Sequence, residues 1–190
     1  RRVAAAGIAF TRKVGAEITA ADWAFFYRCY ENTYRDHHST PYLNLAFFER
    51  IGATMPENVM LALGHRGDAA ICAALDIFDR ETLWGRYWGT TEHLSGLHFE
   101  ACYYQAIDFC IERKIAHFEG GAQGVHKLAR GLVPVPTWSA HALADADFGR
   151  AIEAFCARER IDVAHALHEL EAASPFRKPE STADERAPSS

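Results

Sequence analysis

Residues 59–88 read VMLALGHRGDAAICAALDIFDRETLWGRYW, and this stretch decides the fold of the chain. It contains three apolar runs of strand length, 59–64, 69–78 and 82–88, which are joined by short polar links. Short links join antiparallel strands, whereas parallel strands need a long crossover connection. The stretch therefore predicts a three-stranded antiparallel meander at the centre of the fold.

Helices and one further strand are predicted before the meander. Residues 8–14 (IAFTRKV) form a short apolar-led run that is typical of a strand. Thr19 and Asp22 have the spacing of an N-terminal capping box, and the aromatic residues that follow recur at helical spacing. This pattern predicts a helix with a buried aromatic stripe. Thr40 and Pro41 predict the start of a second helix, which ends near Gly52.

Helices alternate with short strands after the meander. Residues 98–113 have the periodicity of a helix, and residues 117–120 predict a short strand that leads into a glycine-rich loop. A helical turn at 125–129, an extended strand-like segment through 134–143 and a long helix from Asp145 or Asp147 to about Ala172 follow.

This order of elements predicts a single domain over residues 1–173. It belongs to the α+β or α/β class, with a mixed central sheet flanked by helices and a long C-terminal helix. Residues 174–190 are rich in Pro, Ser and charged residues, and we expect them to be disordered.

The composition excludes several classes of protein. Apolar residues make up 49% and charged residues 24% of the 190 residues, as in an ordinary globular domain. Lys and Arg number 20 and Asp and Glu 25, so the net charge is −5 and no global positive field exists for nucleic acid. No apolar run has the length of a membrane span, and no signal peptide is recognisable. Because the chain lacks an initiator Met, we expect it to be a piece of a longer protein.

Cysteine and histidine usage gives no sign of a disulfide framework or a metal site. The five cysteines are odd in number and form no CxxC pair, so we expect buried reduced thiols and a cytoplasmic location. His98 and Glu100 match the HxE of zinc deaminases, but the PCxxC partner is missing, and HExxH is absent as well. The sequence therefore predicts no metal.

Glu100 stands out in the helix predicted at 98–113. On a helical wheel it falls between Ile107 and Ile111, inside the apolar arc of the helix. Acidic residues are common in the first turn of a helix because the N–H groups there are exposed, and this accounts for Glu100 without a function. The alternative is a desolvated carboxylate that acts as a general base. The sequence leaves both interpretations open.

The segment 118–131, FEGGAQGVHKLARG, combines glycines with cations. Glycines let a backbone approach a ligand closely, and cations at the start of a short helix favour an anion pocket for phosphate or carboxylate. A tight structural loop with a solvated basic face explains the same residues, and the spacing is not that of a P-loop. Glu119, at the end of the preceding strand, is either a site residue or half of a surface ion pair.

The segment 83–89, LWGRYWG, places a cation among aromatic side chains. Arg86 lies between Trp84 and the pair Tyr87 and Trp88. Such a cluster on a strand suggests a substrate wall, in which Arg86 reaches a carboxylate or phosphate. Aromatic packing around an arginine whose head reaches water is the alternative.

These segments together resemble a known family. The matching stretches are STPYLNLAFF (39–48), LWGRYWG (83–89), LHFEACYYQAI (97–107), FEGGAQGVHKLARG (118–131), PVPTWSAH (134–141) and SPFR (174–177). They are similar to the bacterial FemAB-like peptidoglycan biosynthesis/recognition family, which belongs to the GNAT acyltransferase superfamily. The resemblance covers nearly the whole chain and implies a GNAT-type fold. It also implies a longer parent of two GNAT-like halves, of which this chain looks like the C-terminal one.

The resemblance implies transfer of an acyl or aminoacyl group to an amine, without a metal or a covalent intermediate. The implied donor is an acyl-CoA, an aminoacyl-tRNA or an acyl carrier, so nucleic acid is a partner only if tRNA is the donor. The implied acceptor is a small molecule or a peptidoglycan precursor, and the N-terminal half of the parent is a further partner. A non-catalytic binding half-module, or a site shared between the two halves, is the alternative.

Roles for individual residues follow as expectations. We expect the base to be Glu100, Glu119 or His126, and Tyr104 to donate a proton to the leaving group. The residues expected to hold the donor are Gly120, Gly121, Gln123, Gly124, Lys127 and Arg130. The residues expected on the acceptor side are Arg86, Tyr87, Trp88 and His98. One departure from the superfamily concerns residues 89–96, GTTEHLSG, which lack the [RQ]xxGx[GA] pyrophosphate motif and so point away from acetyl-CoA.

Overall fold

The computed structural model describes residues 2–121, 125–173 and 175–176. The chain divides into two compact units, residues 1–122 and residues 123–190. The first unit contains a five-stranded sheet with helices on both faces. The second contains a 3₁₀ helix (Val125–Arg130) and a long helix.

The strands of the sheet are arranged in the order of the chain, after a short helix α1 (Arg2–Ala5). They are β1 (Ile8–Val14), β2 (Val59–Arg66), β3 (Ala69–Phe78), β4 (Thr82–Thr90) and β5 (His117–Glu119). The first four strands pair antiparallel, which confirms the predicted meander, and β5 pairs with β4 in parallel. The predicted strand at 8–14 is confirmed with the same bounds.

Both faces of the sheet are covered by helices. One face packs against α2 (Ala20–Asp36) and α3 (Leu45–Thr54), and the other packs against a helix at 97–113. A strand that is buried on both faces needs a nearly continuous apolar run, and β2 and β3 have one. Asp76 interrupts that run in β3.

Helix α2 begins at the predicted capping box. The Thr19 hydroxyl accepts a hydrogen bond from the Asp22 N–H at 3.2 Å, and the Asp22 carboxylate accepts one from the Thr19 N–H at 2.7 Å. The aromatic stripe is buried as predicted, and the Tyr30 and Phe48 rings lie 5.2 Å apart between α2 and α3. The helix packs so closely on β4 that a Cβ at Gly89 would overlap the carbonyl oxygen of Cys29.

The helix at 97–113 is made of three consecutive segments. They are α4 (Leu97–Phe99), a π-helical segment (Glu100–Tyr104) and α5 (Gln105–Arg113). A π-helix bonds i→i+5, which widens the turn and changes the direction of successive side chains. Arg12 of β1 holds this helix on the sheet, because its guanidinium donates to the Gln105 carbonyl at 3.2 Å and to the Glu112 carboxylate at 2.6 Å.

Two predictions about secondary structure are wrong. Helix α3 begins at Leu45 rather than at Thr40 and Pro41, because the Asn44 side chain caps it by accepting the Phe47 N–H at 2.9 Å. The segment 134–143 was expected to be a strand, but it contains no regular secondary structure. Its two prolines lack the N–H donors that a strand ladder requires.

The second unit contains helix α6 (Ala146–Ala172), which confirms the predicted long helix. Asp145 is its N-cap, since its carboxylate accepts the N–H of Phe148 at 2.8 Å. The tail that was expected to be disordered lies outside the described residues, apart from residues 175–176. Within the described ranges, no helix is both long and apolar enough to cross a membrane, and no cluster of three or more His, Cys, Asp or Glu could hold a metal.

Candidate functional site

Strand β4 extends well beyond its pairing with β5, because β5 ends after three residues. Their pairing covers three residues of each strand and ends at Trp84 and Glu119, whereas β4 continues to Thr90. The pairing of β4 with β3 is irregular at the same point, where a β-bulge leaves Arg86 as an extra residue. Bulges re-aim side chains, and here the bulge coincides with the end of the pairing between the two parallel strands.

A cavity of about 110 Å³ lies at this point. It is bordered by β3, β4, the helix at 97–113 and the end of β5. The lining side chains with functional groups include Asp76, Arg86, His98, Cys102 and Tyr103. The cavity extends from Asp76, which is 1% exposed, to the exposed Arg86, so it connects the interior of the first unit with its surface.

Asp76 is the buried end of this cavity. Its Oδ2 atom has no hydrogen-bond partner among the described residues. It lies opposite Gly85 of β4, where a Cβ would stand 3.6 Å from Asp76 Oδ1. Burial raises the pKa of Asp76 well above its ordinary value, because the charged carboxylate loses its solvation there. The structure thus places an uncompensated carboxyl group against open space.

Four rings follow one another along the wall of the cavity. Trp88 and His98 have ring centroids 4.6 Å apart, and His98 meets Tyr103 edge-on at 5.6 Å. Tyr103 in turn meets Phe118 of β5 at 6.3 Å. Aromatic faces of this kind attract cations and pack against apolar chains.

A second cavity, of about 270 Å³, adjoins the first. It is formed by residues 88–99 at the end of β4 and the start of the helix, and it shares Trp88 and His98 with the smaller cavity. The residues that line it, all of which belong to the described part of the chain, include no lysine or arginine. Most of these residues belong to the segment 89–96 that lacks the pyrophosphate motif.

The four predicted acceptor-side residues all line the smaller cavity: Arg86, Tyr87, Trp88 and His98. The Tyr87 ring, however, packs on the opposite face of the sheet, where its hydroxyl lies 2.7 Å from that of Tyr42 and its ring lies 5.2 Å from that of Tyr30.

The predicted acid–base residues lie at three different places. Glu100 is half-buried at the start of the π-helical segment, and its Oε1 accepts a hydrogen bond from Gln105 Nε2 at 3.1 Å. Glu119 is exposed at the end of β5, on the strand face opposite to Phe118. Tyr104 is 47% exposed, whereas the neighbouring Tyr103 is buried in the cavity wall.

The predicted donor-binding residues are divided between the two units. Gly120 lines the smaller cavity and Gly121 follows it with φ +79°. Lys127 and Arg130 are half-buried on the 3₁₀ helix of the second unit, and burial lowers the pKa of Lys127. Gln123, Gly124 and the side chain of His126 lie outside what the structure describes.

The sequence analysis did not single out Asp76 or Tyr103, both of which line the smaller cavity. A usable signal for Asp76 existed, because a single carboxylate within a continuous apolar strand has no partner on its own strand. Its juxtaposition with Gly85 depends on the β-bulge at Arg86, and the direction of Tyr103 depends on the π-helical turn. Neither irregularity has a recognisable sequence pattern here.

The fold is that of the GNAT acetyltransferases. A predicted acetyltransferase from Clostridium acetobutylicum, solved with acetyl-CoA, superposes with a TM-score of 0.53 at 12% identity, covering 72% of this chain and 96% of that one. An aminoglycoside acetyltransferase from an uncultured soil metagenomic sample, solved with sisomicin, gives 0.52 at 9% identity, covering 74% and 97%. A possible acetyltransferase from Clostridium difficile 630 gives 0.52 at 8% identity, covering 72% and 98%. This confirms the fold expected from the sequence.

The chain belongs to the FemAB-like family, described as peptidoglycan biosynthesis/recognition, whose pattern matches residues 1–178. No curated protein matches the chain. The family membership confirms the resemblance found in the sequence.

Proposed function

We propose that this protein is an N-acyltransferase that moves an acyl or aminoacyl group from an activated donor to an amine. The observation that carries the proposal is that two cavities meet at Trp88 and His98, beside the part of β4 that extends beyond β5. Two substrates that react with each other need adjoining sites, because close placement of the reacting atoms removes much of the entropic cost of the reaction. The family and the acetyltransferases of similar fold support the same chemistry.

The second half of β4 offers an edge to the acyl donor. The antiparallel register with β3 directs the backbone groups of Trp88 and Thr90 away from β3. Helix α2 already satisfies their carbonyl groups, since Thr33 Oγ1 donates to the Trp88 carbonyl at 2.8 Å and Asn32 Nδ2 to the Thr90 carbonyl at 3.1 Å. The N–H groups on the same edge are therefore suited to the donor's carbonyl oxygen, which becomes negatively charged in the transition state.

The thiols near the site favour direct transfer over a covalent intermediate. Burial, and next the nearby Asp76 carboxyl, raise the pKa of Cys102 well above its ordinary value, and burial raises the pKa of Cys110 to about 11. A protonated thiol is a weak nucleophile. We infer that the amine itself attacks the donor's carbonyl carbon. The C–N bond forms, the C–S or C–O bond of the donor breaks, and the amine gives up a proton.

The larger cavity bears on the choice of donor. Its described lining has no lysine or arginine to neutralise a pyrophosphate. This favours a donor whose phosphates lie outside the cavity and whose neutral, acyl-bearing end enters it. An aminoacyl-tRNA, an acyl carrier and an acyl-CoA that enters by its neutral pantetheine arm all meet this condition, so all three are tested. On the acceptor side we propose a peptidoglycan precursor or another small amine, with Arg86 holding an anionic group at the exposed mouth of the cavity.

An assay with three donor classes tests the proposal. The purified chain is incubated with acetyl-CoA, an acyl carrier thioester or an aminoacyl-tRNA, each with an aminoalkyl acceptor, and amide formation is followed by mass spectrometry. We expect amide from at least one donor, a large loss with Trp88→Ala or His98→Ala, and no loss with Asp108→Asn, which changes an exposed carboxylate on the same helix. Absence of amide with all three donors would refute the proposal. Substitution of Glu100, Glu119 or His126 in the same assay tests each as a proton acceptor.

The cation-free lining of the larger cavity also favours a second candidate function, that of a non-catalytic binding module. Such a module would bind an amine or an acyl donor without converting it. The two candidates give different results in the assay above, because the module shows binding of a substrate with no amide product from any donor.

A further inference from the structure

The cavity around Asp76 has the features of a pocket for a positively charged amino group. Asp76 is 1% exposed, and its Oδ2 atom has no partner among the described residues. A buried polar group that lacks a hydrogen bond lowers the stability of the fold, and a buried charge does so more strongly. A ligand group that supplies the missing partner would therefore bind favourably at this point.

The walls of the cavity indicate the charge of that ligand group. Trp88, His98, Tyr103 and Phe118 present a continuous series of rings beside the carboxyl. Aromatic faces attract ammonium groups, and a carboxylate pairs with them. A neutral carbonyl would gain only one hydrogen bond from Asp76 and little from the rings. The combination of one carboxyl group with several rings thus favours an ammonium group.

The size of the cavity limits what enters it. A dry cavity of roughly 150 Å³ accommodates benzene, so about 110 Å³ has room for about four non-hydrogen atoms. This matches the end of an aminoalkyl chain, about three carbons and one nitrogen. Arg86 at the mouth of the cavity is exposed, so the rest of such a molecule would lie in solvent.

We propose that this cavity binds the terminal ammonium group of an aminoalkyl acceptor, and that Asp76 pairs with that group and accepts a proton from it. The proposal rests on the proposed function, because it names the acceptor of the same reaction. The ammonium transfers one proton to the Asp76 carboxylate, and the free amine attacks the acyl carbonyl. The second proton passes from nitrogen to the departing sulfur or oxygen, and the third remains on the amide nitrogen. Asp76 releases its proton to solvent when the next ammonium binds.

Several titratable or charged groups lie near Asp76, and the charge of each affects the pH at which Asp76 titrates. They are Arg86 of β4, and His98, Cys102, Tyr103 and Cys110 of the helix at 97–113. Among these groups, Arg86 lies at the exposed mouth rather than at the buried end, and the Cys102 and Cys110 thiols have raised pKa values.

A carboxyl titration tests the proposal without any acyl donor. The Asp76 side-chain carboxyl is followed by ¹³C NMR across pH in the wild-type chain, first alone and then with saturating n-propylammonium chloride. Binding of the ammonium to the ionised carboxylate must lower the titration midpoint, by about one pH unit for each tenfold preference. The Asp108 carboxyl in the same spectra serves as the exposed control and should not move.

Two neutral probes complete the test. 1-Propanol has the same chain without the charge, and we expect it to leave the Asp76 midpoint unchanged. Propanamide tests the competing idea that the protonated carboxyl donates to a carbonyl, and in that case it would raise the midpoint. A midpoint that n-propylammonium leaves unchanged or raises would overturn the proposal.

The carboxyl titration and the amide-formation assay can give opposite results, so the amine pocket and the acyltransferase are tested separately. A lowered midpoint without amide formation from any donor would retain the amine pocket and refute the acyltransferase. Amide formation with an unmoved midpoint, and with the same kcat/KM for the amine in Asp76→Asn, would retain the acyltransferase and refute the pocket.

Gly85→Ala adds a methyl 3.6 Å from Oδ1, and we expect it to weaken n-propylammonium binding at least about fivefold without changing any charge.

Discussion

Asp76 of β3 lies directly opposite Gly85 of β4, and the missing side chain of Gly85 keeps the buried carboxyl in contact with open space. A Cβ at Gly85 would also lie 3.7 Å from the carbonyl oxygen of Glu119 and 3.8 Å from the Phe118 ring. The pair therefore sets the width of the cavity beside the end of β5.

Gly85→Ala should leave the fold intact and impair the reaction. All three nearest atoms lie at ordinary van der Waals distance from the added methyl, so we expect a change in stability of less than about 1 kcal/mol. The same methyl occupies the acceptor's place, so kcat/KM for the amine should fall at least about tenfold. Urea denaturation and steady-state kinetics measure the two effects. Unchanged kinetics in a stable variant would show that the acceptor binds elsewhere.

Asp76→Asn should change how stability depends on pH. The carboxyl ionises at its ordinary pKa in the unfolded chain but stays protonated to a higher pH in the folded chain. As pH rises above about 4, the unfolded state releases this proton first, so the wild-type chain loses stability until pH reaches the raised folded pKa. The variant lacks this loss, so its stability relative to wild type should increase with pH.

Urea denaturation of both proteins between pH 4 and pH 8 gives the comparison. Asp108→Asn, at an exposed position of α5, is the control for removal of a carboxylate. A constant difference for Asp76→Asn would mean that Asp76 is not desolvated in the folded chain.

Gly89→Ala should be among the most destabilising single substitutions in the first unit. The added methyl would overlap the Cys29 carbonyl oxygen, which belongs to the backbone of α2 and cannot move aside alone. We expect a loss of at least about 3 kcal/mol, as for severe overpacking. Gly149→Ala is the matched control, because a Cβ at this position of α6 meets open space. This variant should gain about 0.5–1 kcal/mol in stability, since alanine favours a helix more than glycine does. Equal stabilities of wild type and Gly89→Ala would contradict the close packing of α2 on β4.

Thr33→Val tests whether α2 satisfies the open edge of β4. The substitution keeps the shape of the side chain but removes the hydroxyl that donates to the Trp88 carbonyl at 2.8 Å. We expect a loss of about 1–2 kcal/mol in the free energy of unfolding, because a half-buried carbonyl loses its partner. Thr54→Val removes a hydroxyl from an exposed position of α3 and should cost less than about 0.5 kcal/mol. Equal losses of unfolding free energy in the two variants would show that the hydrogen bond from Thr33 to β4 does not stabilise the fold.

Much of the fold could be predicted from the sequence, because it follows from local patterns. The strands of the meander, the capping box at Thr19 and the cap at Asp145 depend on residues that are close together in the chain. The start of α3 was predicted wrongly, because two capping signals compete within a few residues and only the tertiary structure selects Asn44.

The candidate site was harder to predict for a physical reason. A helical wheel assumes a constant rotation per residue, and the π-helical segment begins at Glu100, the residue that the wheel placed in the apolar arc. Asp76 and Gly85 meet through a bulged register that no local pattern specifies. Arg86, Trp88 and His98, which the sequence analysis placed on the acceptor side, line the cavity and lie in aromatic-rich segments.

The central claim is that this cavity holds an amine for acyl transfer and that Asp76 accepts its proton. The most direct test is the rate of amide formation with an aminoalkyl acceptor in wild type, Asp76→Asn and Asp108→Asn, using the donor that the wild-type chain accepts. The account predicts that Asp76→Asn lowers kcat by about 10²- to 10⁴-fold, as loss of a general base does, while Asp108→Asn stays within about twofold of wild type. Wild-type kcat in a folded Asp76→Asn variant would contradict the account.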